Sequence, residues 1–468
     1  MLLTAFAVLV PSASASYDLD ADFNGGYVTM AYAGNASIYD MAIQNNGKIV
    51  IVGSLDSGTN LDILVIRLNP DASLDTSFGI NGSVVTDLAG DDDTAYAVAI
   101  QSNGKIVVTG SGVIAGDTDF VIARYNTNGS LDTTFGSGFG YINQDIDYNT
   151  EHDEAHAIAI QSDGKIVVAG TASVSGELSF AAMRVDSGGN PDSTFSFNAN
   201  PGIGIFANYD GWDDNGTSLA LQDDGSIVIG GSRFNGVDHD FAILRVLPDG
   251  NADTSFNGLG QWQASYGEDA LNDLVVDAQG RLIFAGSVDN GFGDKMIVGR
   301  LNTDGSIDTT FAGGVVIYGL DDRDDTASKI LLQDADHIVL VGTSTDPEPM
   351  SRQFFARFDS EGTLDATFGT NGDFVTSVGN NPNTIRTGAF QADGKLVVAG
   401  DLAGTLWTSP LVTRYAEPPV TTTTVAPTTA PQSTLAVTGS RAERSMAWMI
   451  AILTAGLALL ATRRRVSA

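Results

Sequence analysis

Short runs of carboxylates are the residues of this sequence whose type and spacing could do chemistry. Asp91-Asp92-Asp93, Glu151-His152-Asp153-Glu154, Asp213-Asp214, Glu268-Asp269 and Asp321-Asp322-Arg323-Asp324-Asp325 each place two or more acids in one stretch. Clustered carboxylate oxygens suit Ca²⁺, which takes several hard oxygen ligands in flexible geometry. The competing reading is a solvated acidic face. No EF-hand loop or nonapeptide calcium repeat accompanies these runs, so the metal is left unknown. His152 and His156 resemble the outer residues of a His-Glu-x-x-His zinc site, but that chemistry needs a helix and a Glu directly after the first His. Asp153 follows instead, in a loop that runs into a strand. There is no Gly-x-Ser-x-Gly elbow, P-loop or Cys nucleophile, and no catalytic residue is assigned. What enzymatic chemistry remains is that of a hydrolase or lyase using paired carboxylates.

A second constellation pairs opposite charges. Arg67, Arg124, Arg184, Arg245, Arg300 and Arg357 precede Asp75, Asp132, Asp192, Asp253, Asp308 and Asp365 by eight residues each. Arg414 lacks such a follower, and Asp20 is the spare acid. An Arg leaving one strand and an Asp opening the next connection can meet as a bidentate pair. Repetition favours an identical structural brace over a ring of binding groups, because a functional site rarely needs sevenfold copies. Arg414 is therefore expected to contact Asp20. The Phe after each Asp, from Phe23 and Phe78 to Phe368, is expected to be core between repeats.

The elements that hold these residues come from one repeated unit. A turn residue recurs at Gly47, Gly104, Gly164, Gly225, Gly280, Asp336 and Gly394, at spacings of 57, 60, 61, 55, 56 and 58. In the second copy, Ser102-Asn103-Gly104 is a turn of the Asn-Gly type and Lys105–Thr109 is a β-branched run of strand length. Phe120–Tyr125 reads as a third strand, with a fourth near Tyr141. No 3.6-residue period is sustained inside the repeats, so helices are not expected there. Four short antiparallel strands make one twisted sheet that cannot bury both faces. Seven arranged radially can, and the predicted fold is an all-β, seven-bladed β-propeller over residues 17–416. A β-helix is the alternative; its coils are shorter than this period. The last copy stops at Arg414-Tyr415, and its missing Leu-Asp-x-x-Phe stands at Leu19–Phe23. A strand near Tyr27–Ala31 should thus complete the seventh blade and cover its edge. The loops entering the first strands carry the acidic runs and share a side with the loops between second and third strands. That side varies in sequence and is the expected ligand face.

Fifty-seven acids against 23 bases give a net charge of −34, which repels phosphate backbones and argues against nucleic acid as a partner. There is no Cys, so neither disulfides nor thiolate chemistry is available. Residues 1–15 carry a short apolar stretch followed by Pro11-Ser12-Ala13-Ser14-Ala15, read as a signal peptide truncated at its start. Residues 417–434 are rich in Pro and Thr and read as an extended stalk. The apolar segment 446–461 precedes Arg463-Arg464-Arg465.

Two resemblances follow from these residues. Leu435-Ala436-Val437-Thr438-Gly439, the apolar segment and the terminal arginines resemble a Gram-positive cell-wall sorting signal, with Ala436 where the commonest form has Pro. The resemblance implies cleavage by a sortase between Thr438 and Gly439 and attachment to the wall; the alternative is a single-pass membrane anchor. The repeated Asp-Gly-Lys-Ile-Val-Val-x-Gly … Arg … Leu-Asp-x-x-Phe-Gly resembles the delta-60 repeat family of bacterial surface proteins, and implies a β-propeller with no catalytic motif to transfer. The expected protein is a monomeric, secreted, wall-anchored binding or adhesion module for a glycan or protein, with no cofactor beyond calcium. The alternatives are a carboxylate-dependent hydrolase or lyase at the propeller mouth and a structural spacer without ligand.

Overall fold

The structure, a computed structural model, describes residues 17–416 apart from 115, 147–151, 198–199, 207–211, 290, 292, 321 and 348–349. The expected signal peptide, stalk, sorting signal and apolar segment lie outside the described residues. No helix among the described residues is long and apolar enough to cross a membrane.

Each Asn-Gly or Asp-Gly turn makes a tight hairpin. Gly104 has φ +82°, a conformation open to glycine, and the Asn103 side chain accepts a hydrogen bond from the Lys105 amide at 3.0 Å. In the first blade the strands are Ala36–Ile43, Ile49–Asp56, Leu61–Leu68 and Ser83–Thr86, paired antiparallel in chain order. The same order recurs in five further sheets, whose first strands are Asp93–Ile100, Asp153–Ile160, Asp214–Leu221, Glu268–Val276 and Asp324–Leu332. The seventh sheet is built from both ends of the described chain. Asn383–Phe390, Leu396–Ala403 and Thr408–Ala416 supply three strands, and Tyr27–Thr29 pairs with the last of them in the register Tyr27↔Thr413, Val28↔Val412. The result is a seven-bladed β-propeller. Asp18–Leu19 adds a second, unanticipated pairing with the same strand, Leu19↔Tyr415.

The core lies between blades. Val50, Val52, Ile63 and Val65 of the first blade pack with Ile106, Val108 and Val121 of the second, and Phe78 is fully buried among them. At the closure, Phe23, Met30 and Val412 pack against Ile38, Ile49 and Ile51 of the first blade. Burying both faces of every sheet is what a lone blade cannot do and the ring can.

Candidate functional site

The side of the ring carrying the first turn and the third-to-fourth-strand connection is built almost identically in every blade. Arg67 Nε lies 2.6 Å from Asp75 Oδ2, Arg124 Nε 2.6 Å from Asp132, Arg184 Nε 2.8 Å from Asp192, and Arg300 Nε 2.8 Å from Asp308. Arg245 and Arg357 meet Asp253 and Asp365 at 2.6 and 2.8 Å, and Arg414 meets Asp20 at 2.7 Å across the closure. Each guanidinium also lies over a Phe ring, for example Arg67 over Phe78 at 4.4 Å and Arg414 over Phe23 at 4.6 Å. In five copies the free arm reaches a carbonyl of the next blade: Arg67 Nη1 donates to Thr127 O at 2.6 Å and Arg414 Nη1 to Pro70 O at 2.7 Å. The turn lysine adds a second cation, as in Lys48 to Asp75 and Lys105 to Asp132, both 2.6 Å. Burial alone would raise the Asp75 and Asp132 carboxyls. Hydrogen bonds from the lysines, from Ser77 or Thr134 and the nearby arginines outweigh it and hold both below the usual carboxylate range.

The opposite side holds the acidic runs, and most of their described carboxylates accept hydrogen bonds from the chain. The acid that begins each loop end braces the preceding blade. Asp92 accepts from the Leu61 amide at 2.8 Å, Asp213 from Leu178 at 2.8 Å, Asp324 from Asp294 at 3.2 Å and Glu268 from His239 at 3.4 Å. The next acid is buried and holds its own loop: Asp93 accepts from the Leu88 amide, Asp153 from Ile146, Asp269 from Tyr266 and Asp325 from Leu320, at 2.5 to 2.8 Å. Asp214 is also held by Arg233, at 2.7 and 3.0 Å. Burial, with acidic neighbours, pushes Asp93 up to about 6 and Asp269 up to about 7. Asp91 and Asp322 are exposed, and Glu154 is half-buried beside His156. Glu151 and Asp321 lie outside the described residues. The acids named from the sequence are thus distributed around the rim. Among the described residues, the one trio of acids brought within 4.8 Å is Asp117, Asp119 and Asp145, which sequence reasoning missed.

A different set of residues converges at the centre. Every inner strand contains a β-bulge at the same position, seen as a register shift between Ile38 and Asp40, Ala95 and Ala97, Ala155 and Ala157, Gly216 and Ser218, Leu271 and Asp273, Ala327 and Lys329, and Ile385 and Thr387. The extra residues are Tyr39, Tyr96, His156, Thr217, Asn272, Ser328 and Arg386. All seven line the central channel. The cause is legible in the repeat. The glycine ending Asp-Gly-Lys-Ile-Val-Val-x-Gly sits opposite the bulge, where an added Cβ would stand 1.8 Å from Ser37 O at Gly53 and 1.9 Å from Thr94 O at Gly110. Only glycine admits the bulged strand this close, and the bulge re-aims one side chain per blade.

The ring has two unlike arcs. Arg386 lies over the Tyr39 ring at 5.5 Å, Tyr39 meets Tyr96 edge-on at 5.0 Å, and Tyr96 meets the His156 ring at 4.8 Å. His156 Nε2 lies 3.4 Å from Glu154, which lowers the Glu154 carboxyl. Burial and the Glu154 charge push Tyr96 up to about 12, so it is a neutral phenol at any ordinary pH. The other arc is stitched. Thr217 donates to Leu271 O at 2.5 Å, Asn272 to Ala327 O at 2.8 Å and Ser328 to Ile385 O at 2.9 Å, each carbonyl belonging to the next blade. On one side of the ring Lys329 Nζ meets Asp273 at 3.1 Å, in a cavity of about 140 Å³ also lined by Asp40. Burial would lower the Lys329 ammonium, but Asp273 and Asp40 outweigh it and keep it charged. On the other side the channel opens into a cavity of about 400 Å³. That is within the size range of small-ligand pockets.

Six segments, 44–78, 101–135, 161–195, 222–256, 280–311 and 336–368, match the family described as "Domain of unknown function (DUF5122) beta-propeller". Each match contains the second and third strands and ends at the brace Phe. None contains a ring residue. No curated protein matches the chain. Solved structures similar to it include the polysaccharide lyase Uly1, at 12% identity over 86% of this chain and 98% of that one, with a TM-score of 0.43. YCF48 from Cyanidioschyzon merolae is similar at 11% identity over 83% and 98%, TM-score 0.43. Sqt1 from Chaetomium thermophilum, bound to the N-terminus of ribosomal protein L10, is similar at 13% over 79% and 83%, TM-score 0.41. This likeness extends to the fold alone.

Proposed function

We propose that this protein is a secreted, wall-anchored binding module that takes the end of an acidic carbohydrate chain into the mouth of its central channel. The observation that carries this reading is the arc Arg386–Tyr39–Tyr96–His156, contiguous by ring and cation contacts of 4.8 to 5.5 Å. Tyrosine rings offer an apolar face to the C–H face of a sugar and a hydroxyl to its rim. A guanidinium at the end of the arc suits a carboxylate. The strongly acidic remainder of the molecule would leave Arg386 as a local attraction in a repelling field, which favours selectivity over general stickiness.

A glycan array probed with the full chain tests this. Uronate-containing glycans should be retained, and Arg386→Ala and Tyr96→Ala should each lose them while melting within a few degrees of wild type. Retention unchanged in both variants would overturn the assignment. A second reading, a lyase or hydrolase at the same mouth, is favoured by His156 being oriented by Glu154 at 3.4 Å beside a neutral Tyr96 phenol, the makings of a base and an acid. Shortening of a bound polysaccharide by wild type but not by His156→Ala would select it. Anchoring through Leu435–Gly439 is tested by mass spectrometry of wall digests; an intact Arg463–Ala468 tail on the mature protein would exclude sortase cleavage.

A further inference from the structure

We propose that the second blade carries a calcium site, formed by Asp117, Asp119 and Asp145 with the side-chain oxygen of Asn143. Asp117 and Asp119 lie two residues apart at the start of the strand Asp117–Tyr125, so their side chains share a face. The neighbouring strand pairs Gln144 with Phe120, which brings Asp145, one residue on, beside Asp119. One oxygen from each of the three acids lies within 4.8 Å of the others. Ligands of one Ca²⁺ stand 2.3–2.6 Å from it, so a pair up to about 5 Å apart fits without rearrangement.

The acids alone would be a surface feature, but Asp119 is only 5% exposed and its Oδ1 has no hydrogen-bond partner. Its other oxygen accepts from Asn143 Nδ2, and Asn143 Oδ1 is likewise buried without a partner. Two orphaned oxygens beside two further carboxylates call for a cation.

Two other blades supply one from the chain at this corner, whereas the first, with Asp62 and Asp87 at these positions, has only the Asn60 amide on Asp62. In the fifth blade the position of Asp119 is Lys295 and that of Asp145 is Gly319; Lys295 Nζ donates to Leu320 O at 2.7 Å and Arg323 O at 2.6 Å. In the fourth, Gln263 Nε2 donates to Asp240 at 2.9 Å, as Asn143 does to Asp119, and Arg233 Nη1 lies 3.4 Å from Gln263 Oε1. The second blade has Gly112 in the place of Arg233, where a Cβ would stand 2.6 Å from Asp93 Oδ1. Among the described residues no cationic side chain pairs with Asp119.

Calorimetric titration of the chelator-treated full chain with CaCl₂ at pH 7.5 tests the proposal. One saturable site is expected, with a Kd on the order of 0.1–1 mM, as in extracellular modules. Affinity should fall on acidification, because carboxylate ligands must be deprotonated to bind the ion. Asp117→Asn and Asp119→Asn should abolish binding and the calcium-dependent rise in Tm. Without calcium, Asp119→Asn should melt at or above wild type, since it removes an uncompensated buried charge; this separates loss of the site from loss of the fold. No saturable heat up to about 10 mM calcium, well beyond the weakest such modules, or wild-type affinity in both variants, would overturn it.

Discussion

Two positions recur in all seven blades and have opposite histories. At the brace, every blade carries Arg, Asp and Phe in the same contacts, down to the closure where Arg414 and Asp20 come from opposite ends of the described chain. At the bulge, seven blades carry Tyr, Tyr, His, Thr, Asn, Ser and Arg. The backbone geometry is equally regular at both, so regular geometry does not by itself impose a side chain. The brace is uniform because a buried guanidinium needs its carboxylate and its ring in every copy. The bulge position lines the channel, where no contact common to all seven copies fixes the side chain.

The comparison breaks most visibly through the brace. Arg124→Ala, within a blade, and Arg414→Ala, at the closure, should each cost about 3 kcal/mol, because each removes the buried cation from a buried carboxylate and leaves it only the partly exposed turn lysine as a charged partner. Urea denaturation measures both. A much larger loss at Arg414 would mean that the closure is more than a seventh copy. Removing a stitched bulge side chain should cost less. Ser328→Ala, whose hydroxyl reaches Ile385 O, should lose about 1 kcal/mol, while Tyr39→Ala should cost least among the ring variants and be seen in ligand binding.

Acid separates the two sides by sign. Asp93, Asp119 and Asp269 have folded-state values raised to about 6, 6 and 7 from 3.8. Each holds more protons folded than unfolded between pH 4 and its folded value, so their contribution to stability grows as pH falls from about 7 towards 4. Asp75, Asp132 and Asp192 are depressed below 3.8, so their stabilisation is full above about pH 4 and is lost as pH falls through their folded values. Tm measured in calcium-free buffer should therefore rise from pH 8 to about 5 and fall below about 4. A monotonic fall from pH 8 would show that the buried rim acids do not govern stability. The smallest effect sharpens the brace itself. Six blades give the brace Asp a second partner, Lys48, Lys105, Lys165, Arg281, His337 or Lys395, and the fourth has Ser226. Ser226→Lys should stabilise by about 0.5 kcal/mol, the scale of a half-exposed ion pair.

The period, the turn chemistry and the split Leu-Asp-x-x-Phe were enough to read seven blades, their strand order and the closing strand from the sequence. The candidate site was much less legible. The acidic runs drew attention because carboxylates are conspicuous in a sequence, yet Asp93, Asp153 and Asp269 are buried, each with one oxygen on a backbone amide of its own loop. The ring residues gave no such signal. Tyr39 and Asn272 look like ordinary strand positions, and only the glycine at the end of the following strand marks the bulge that turns them inward.

What the sequence determined by itself is everything local or repeated: hairpins set by Asn-Gly and Asp-Gly, strands set by β-branched runs, and a brace spaced by eight residues. What only the tertiary structure decided is which side chains from different blades face one another. Residues 39, 96, 156 and 386 are far apart along the chain and meet because seven bulged strands converge on one axis. Asp117, Asp119 and Asp145 likewise meet through pairing of two strands, and the cost of burying Asp119 depends on its having no cation beside it among the described residues. Those are long-range packing outcomes, and local sequence pattern carries no term for them.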